Sequence, residues 1–246
     1  MISVIIPVFN EEDNVLPLYR ELKKVLEKQS QEYEIVFIDD GSTDKTATKL
    51  QKEILKTNNL QLIQLTSHFG KSAALTAGFN HVRGDVVVTL DGDGQDDPKN
   101  ISLLLTAMNK NTDVVCGWRV DRQDSNIKKI NSKIYNHLNR IVNKVQIHDN
   151  NCMLRVYRKE VITGLSLIKG AHRYLPAIIA SRGFKLAEIE VSHRPRLSGK
   201  SKYGTKRLFR GFIDLFKFNL LLKKDYDKKS NNQILYEING KYGFED

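Results

Sequence analysis

Thirteen residues, Val86 to Pro98 (VVVTLDGDGQDDP), constrain this chain more than any others. The β-branched run Val86-Val87-Val88-Thr89-Leu90 is too short for a helix and is bounded by Asp85 and Asp91. It reads as a strand buried on both faces, as in a parallel sheet. Ligands of open α/β sheets lie beyond the carboxyl ends of the strands. There the run gives way to Asp91-Gly92-Asp93-Gly94-Gln95-Asp96-Asp97, four carboxylates that repel one another unless a cation sits among them. Alternate residues of an extended segment share a face, so Asp91, Asp93 and Gln95 offer hard oxygens on one side. A few such oxygens suit Mg²⁺ or Mn²⁺ that completes its shell with water and phosphate oxygens. The competing reading is an acidic loop that caps the helix beginning near Pro98, with Asp96 or Asp97 as N-cap. Asp97 is assigned to that role.

The rest of the chain repeats strand-then-helix. Ser3 to Phe9 forms a first strand, and Asn10 or Asp13 caps a helix with apolar positions Val15, Leu18, Leu22, Val25 and Leu26. Glu34 to Ile38 forms a second strand, ending at Asp39-Asp40-Gly41-Ser42-Thr43-Asp44, where Ser42 or Thr43 opens the next helix. Leu60–Leu65 and Asp113–Gly117 add strands, and Ser72–Val82 and Ile101–Met108 add helices. This alternation predicts an α/β, doubly wound, mostly parallel sheet. Gly70-Lys71-Ser72 resembles the end of a P-loop, but Leu65 stands where its first glycine belongs, and no G-x-G-x-x-G follows the first strand. Lys71 reaches a phosphate from a helix N-terminus or is a solvated lysine at a cap; both readings stand.

Composition narrows the partners. At 246 residues, 40% hydrophobic and 28% charged, the chain is globular and can bury a sizeable core. Cys116 and Cys152 have no metal or redox spacing and are expected to be reduced core thiols. The start runs directly into a strand with no sign of a secretory leader. No stretch reaches the ~20 apolar residues that span a bilayer. A net charge of +10 calls for an anionic partner: nucleic acid, nucleotide phosphates or anionic lipid. Acidic loops at the strand ends would repel a nucleic-acid backbone, so no nucleic acid is expected.

Seven segments carry a resemblance. Pro7-Val8-Phe9-Asn10-Glu11-Glu12, Ile38-Asp39-Asp40-Gly41-Ser42-Thr43-Asp44, Phe69-Gly70-Lys71-x-Ala73-Ala74-Leu75-x-Ala77-Gly78-Phe79 and Asp91-Gly92-Asp93-x-Gln95-Asp96-x-Pro98 come first. Gly117-Trp118-Arg119, Arg173 to Ala177 and Arg196-x-x-Gly199-x-Ser201-Lys202-Tyr203 follow. In this order and spacing the chain resembles family-two glycosyltransferases of GT-A (nucleotide-diphospho-sugar transferase) fold. The later segments are similar to the polyprenyl-phosphate branch, the group of dolichyl-phosphate mannose synthase and bacterial undecaprenyl-phosphate sugar transferases.

The resemblance implies an inverting, metal-dependent transfer of a hexose or N-acetylhexosamine from a UDP- or GDP-sugar to polyprenyl phosphate, giving a β-linked product. Pro7, Phe9 and Glu11 would line base and ribose, with Lys71 at the donor's phosphates. Asp40, with Asp39 beside it, would accept a base N–H, or the pair simply forms a turn and cap. Asp91, Asp93 and Gln95 would hold Mg²⁺ or Mn²⁺ against the diphosphate. Arg119, Lys128 and Ser132 match ligands of the acceptor phosphate, and Arg196, Ser201 and Lys202 belong to a loop closing over both substrates. Asp149 would hold a sugar hydroxyl or, with hydroxyl acceptors, act as base. His148 is read as structural; Trp118 and Tyr174 are either core or rim aromatics or sugar platforms. Alternatives are transfer to a saccharide hydroxyl and, in another class, a non-catalytic membrane-associated relative.

One domain is expected over residues 1–222: a nucleotide-sugar half at 1–117, an acceptor half at 118–203 and an amphipathic helix at 204–222. A polar, partly disordered tail follows at 223–246. Leu208, Phe212 and Phe216 form an apolar stripe flanked by Lys206, Arg207, Arg210 and Lys217. That pattern suits the headgroup interface, or else packs on the protein's own core. Arg210, Asp214 and Lys217 would each cost ~2.5–3.5 kcal/mol in a spanning helix, so the helix is expected to lie on the membrane. The expected location is the cytoplasmic face of a membrane, held peripherally or by an anchor outside this sequence. Residues 128–144, with Ile130, Ile134, Leu138 and Ile141 among basic side chains, extend the same surface.

Overall fold

A computed structural model describes residues 1–120, 145–195 and 236–244. Its centre is β1 (Ile2–Val8), whose seven residues are all buried because neighbouring strands and helices cover it on every side. It pairs in parallel with β2 (Tyr33–Asp39) on one side and β4 (Val86–Thr89) on the other. β3 (Leu60–Leu65) extends the sheet beyond β2, again in parallel. Pro7, which brings no N–H, is tolerated in this central strand because β4 remains paired with β1 only to Ile5 opposite Thr89.

Alternate residues of β1 feed two cores. Val4 and Ile6 pack with Leu18 and Leu22 of α1 (Val15–Leu26), Leu50 of α2 (Thr46–Ile54) and Leu104 of α4 (Asn100–Ala107). Ile5 packs on the opposite face with Ala74 and Leu75 of α3 (Lys71–His81). The sheet is therefore covered on both faces, as parallel strands require.

Among the described residues the sheet has eight strands in the order β7-β5-β6-β4-β1-β2-β3-β8. The expected mostly parallel, doubly wound α/β sheet is present, with three additions. β6 (Arg155–Arg158) is inserted antiparallel between β4 and β5 (Val114–Arg119), so the fifth strand does not touch the fourth. β7 (Leu186–Val191) runs parallel beside β5. β8 (Ile238–Tyr242) pairs antiparallel with β3, so this part of the expected polar tail is ordered as an edge strand. The amphipathic helix expected at 204–222 and the basic stretch at 128–144 lie outside the described residues.

The helix starts differ from expectation because the loops bind each other rather than their own helices. Asn10, at φ 52°, donates from its N–H to Ser42 Oγ (2.8 Å) and accepts Thr43 N–H on Oδ1 (2.8 Å). Asn10 is thus spent on the neighbouring loop, and α1 starts after Asn14, whose Nδ2 donates to Glu11 Oε2. With Ser42 and Thr43 occupied, α2 starts later, where Asp44 Oδ1 accepts Thr46 N–H at 2.9 Å. Asp97 accepts Lys99 N–H at 3.0 Å in the turn before α4, but the helix starts later than expected and Lys99, not Asp97, stands at its N-cap. Cys116 and Cys152 are free and buried, as expected.

Between these stitched loops Gly41 sits at φ +73°, and a Cβ there would lie 2.5 Å from the Ser67 carbonyl carbon. The left-handed conformation alone costs a non-glycine residue about 1–2 kcal/mol. Gly41→Ala is expected to destabilise the protein by more than that, because backbone must also move. Urea denaturation of the two proteins measures the difference.

Candidate active site

Chain order runs outward from β1 through β2 to β3 and then returns to β4 on the other side of β1. That reversal leaves a crevice at the carboxyl ends of β1 and β4, where an open α/β sheet takes its ligands. A cavity of about 320 Å³ lies there, lined by Pro7, Val8, Phe9, Glu11, Asp40, His68, Lys71, Asp91, Gly92 and Asp93. Seven of the residues predicted from sequence for the donor or the metal (Pro7, Phe9, Glu11, Asp40, Lys71, Asp91 and Asp93) thus converge, whereas Asp39 and Gln95 do not line the cavity. A larger, shallower depression near Met1, Leu26 and Tyr33 lies at the amino ends of β1 and β2, away from these groups.

The acidic loop is set by contacts on both sides. Gly92 lies so near β1 that a Cβ would stand 2.5 Å from Val8 Cγ1, so the residue between the two aspartates must be small. Asp93 Oδ1 accepts Gln95 N–H at 3.1 Å, which turns the loop. Arg194 braces it from outside, donating from Nε to Gly94 O (2.7 Å) and from Nη2 to Glu21 Oε2 (2.6 Å). Arg194 was not anticipated; three residues past the alternating strand β7, it reads as a surface charge.

Asp91 and Asp93 supply two partly exposed carboxylates at the cavity. Lys71 Nζ stands 2.5 Å from Asp91 Oδ1, so a cation already accompanies the pair. Among the described residues no group of three or more His, Cys, Asp or Glu side chains converges to hold a metal. The donor set therefore fits a hard divalent ion that takes most of its shell from water and phosphate oxygens, and does not fit a closed protein cage.

Asp40 and Asp39 separate in role. Asp40 is buried and accepts Phe69 N–H (2.8 Å) and Gly70 N–H (2.8 and 3.1 Å), which fixes the entry to α3. His68 Nδ1 lies 2.8 Å from Asp40 Oδ2, and its ring stacks on Phe9 at 4.0 Å between centroids. Burial pushes the Asp40 carboxyl up; His68 and the two backbone donors oppose that shift. Asp39 is fully buried, holds the turn through Ser42 N–H (3.0 Å) and does not line the cavity.

Further along the strand ends, Arg119 donates from Nε to Asp149 Oδ2 (2.7 Å) and from Nη2 to Asp149 Oδ1 (3.1 Å). Their side chains are 10% and 3% exposed. Burial works most strongly against the guanidinium charge, but Asp149 and the other acidic groups nearby, Asp96 among them, together outweigh it and hold Arg119 protonated. Glu188, on β7, fixes the Asp149 turn by accepting the N–H groups of His148 and Asp149. His148 is structural in this sense: Nδ1 meets Glu188 Oε2 at 2.8 Å and the ring stacks on Trp118. Tyr174 is buried in the core, which removes it as a sugar platform. Lys128, Ser132, Arg196, Ser201 and Lys202 lie outside the described residues.

Asp96 is buried and accepts Asp91 N–H at 3.2 Å instead of capping α4. Its residue bridges to His193, so the loop and the segment after β7 are joined. Burial, then the nearby Asp91, raises its carboxyl to about 7, with Arg119 opposing. An unfolded aspartate titrates near ~3.9, so between about pH 4 and about 7 the folded state binds the extra proton. Stability is expected to fall as pH rises through that window. Asp96→Asn should flatten the slope, as read from denaturant midpoints in chelator. In the same assay Asp149→Ala is expected to cost about 3–5 kcal/mol by stranding a buried guanidinium, whereas Arg119→Met with Asp149→Leu together should cost less.

Comparison with known proteins accords with this geometry. Residues 3–165 match the model of "Glycosyl transferase family 2". Dodecaprenyl-phosphate galacturonate synthase of Rhizobium johnstonii is 35% identical over 219 residues, covering 87% of this chain and 65% of that protein. Undecaprenyl-phosphate 4-deoxy-4-formamido-L-arabinose transferase of Photorhabdus laumondii is 37% identical over 216 residues, covering 87% and 66%. The chain thus spans just under two thirds of the length of these relatives. Glucosyl-3-phosphoglycerate synthase from Mycobacterium tuberculosis, solved with Mn²⁺, UDP and glucosyl-3-phosphoglycerate, superposes with a TM-score of 0.63 at 16% identity over 90% of this chain and 78% of its own. At that identity the likeness speaks for the fold, which is GT-A. With its acidic pair at the β1–β4 crevice and a family match over the first two thirds of the sequence, the chain belongs to glycosyl transferase family 2.

Proposed function

We propose that the protein transfers a sugar from a nucleoside diphosphate sugar to a polyprenyl phosphate, with inversion at the anomeric carbon. The observation that carries this reading is the cavity at the β1–β4 crevice, where Asp91, Asp93 and Lys71 meet the aromatic wall of Phe9 and His68. The named activities of relatives 35–37% identical supply the acceptor class. Pro7, Phe9 and Glu11 hold the nucleoside end of the donor, and Lys71 stands at its diphosphate. Asp91 and Asp93, with Gln95, would hold a divalent ion, which when bound supplies Lewis-acid neutralisation of the leaving diphosphate. Lys71, at the N-terminus of α3, adds fixed positive charge where negative charge develops.

The acceptor needs no base. A phosphate monoester with a second pKa of ~6 is largely dianionic at neutral pH. Asp149 supports this from the other direction: both of its oxygens face Arg119, which leaves it poorly placed to take a proton. Its role is to orient the guanidinium. Arg119, Lys128, Ser132, Arg196, Ser201 and Lys202 are proposed to position the acceptor's phosphate without transferring a proton. Attack opposite the departing diphosphate turns an α-linked donor into a β-linked product. Among the described residues no helix is long and apolar enough to cross a membrane. The basic amphipathic stretch at 204–222 is proposed to meet the bilayer surface from which the lipid phosphate is drawn.

Incubation with a panel of radiolabelled UDP- and GDP-sugars, Mg²⁺ and undecaprenyl phosphate, followed by organic extraction, tests this reading. Label is expected in the organic phase with one donor of the panel, and Asp93→Ala should lower transfer by at least about 10²-fold. Label appearing only in water-soluble glycan, or full activity of Asp93→Ala in excess chelator, would overturn it.

A further inference from the structure

The cavity wall holds an imidazole that the transfer reading leaves without a task. The His68 side chain is 55% exposed, yet it is held at two points. Its ring lies on Phe9 at 4.0 Å with an interplanar angle of 24°, and its Nδ1 stands 2.8 Å from Asp40 Oδ2. A solvated surface histidine would hold neither contact at the cost of its side-chain entropy.

Asp40 explains the arrangement. A carboxylate offers about four lone-pair sites. Three donors meet it: Phe69 N–H on one oxygen, His68 Nδ1 on the other and Gly70 N–H shared between the two. The side chain that family resemblance assigns to a base N–H thus spends most of its accepting capacity on the loop that starts α3 and on His68. Its accepting character is carried on to the cavity by the imidazole, which lines it beside Asp40. Because Nδ1 donates to the carboxylate, the neutral ring keeps its lone pair on Nε2, its one other polar atom.

We propose that His68 Nε2 accepts the ring N–H of the donor's nucleobase. This rests on the nucleotide-sugar reading above and adds the residue that selects the base. Phe9 and Asp40 act as positioning residues that fix the plane and tautomer of the imidazole. The chemistry recognised is an N–H next to a ring carbonyl, which uracil carries at N3 and guanine at N1. A base without that donor leaves Nε2 unsatisfied and is bound less well.

Calorimetric titration in Mg²⁺ separates the possibilities without relying on turnover. The probes are UDP, GDP and their counterparts methylated at uracil N3 or guanine N1. The wild-type protein is expected to favour whichever parent nucleotide it binds by about tenfold over the methylated form. His68→Phe keeps an aromatic ring against Phe9 but has no ring nitrogen. It should bind parent and methylated nucleotide within about twofold of each other, and His68→Leu should do the same. If either variant keeps the wild-type preference, or the wild type shows none, His68 is not the reader. Binding of neither UDP nor GDP by the wild type would instead overturn the donor reading itself, and this inference with it.

Discussion

Everything at the cavity depends on β1 having β2 on one flank and β4 on the other. A parallel strand buried on both faces cannot be displaced without exposing apolar surface to water on two sides. The loops after β1, β2 and β4 therefore emerge side by side at fixed spacing. Their residues, far apart in sequence, become neighbours: Asn10 reaches Ser42 and Thr43, Asp40 reaches Phe69 and Gly70, Lys71 reaches Asp91. The site is rigid because its polar groups are shared between loops rather than spent within them.

The charges at the strand ends follow one rule: each carboxylate is matched to a partner suited to its depth. Asp91, at the cavity, is answered by Lys71, whose ammonium can be shared with incoming phosphate oxygens. Asp149, deeper, is answered by a bidentate guanidinium whose planar fork fits a carboxylate. Asp96, fully enclosed, feels Arg119, but burial and the neighbouring Asp91 prevail and its carboxyl drifts toward neutrality instead. This gradation lets four acidic residues crowd one end of a sheet without unfolding it.

The first four strands and the helices between them were legible because their apolar runs and 3.6-residue stripes are long and clean. β6 was not: its four residues, RVYR, begin with the fully buried Arg155 and end with a second arginine, which no apolar pattern signals. β8 reads INGKY, a turn-like composition, and becomes a strand only because β3 offers it an open edge. The donor-side residues were visible as motif residues, but their division of labour was not. That Asp40 faces the loop before α3 depends on backbone donors about thirty positions away. Likewise the pairing of Arg119 with Asp149 joins two elements that only the folded sheet brings together.

β8 also bears on how copies of the molecule can meet. An uncovered β3 would present a row of unpaired N–H and C=O groups to any passing strand. With Ile238–Tyr242 seated there, the open edge passes to β8, five residues that include Gly240 and Lys241 and so make a short, charged template. The opposite rim, β7, carries Glu188 and Glu190 in its short run, so like would meet like in a fused sheet. Among the described residues, self-association by continuous strand pairing is thereby made less favourable at both margins.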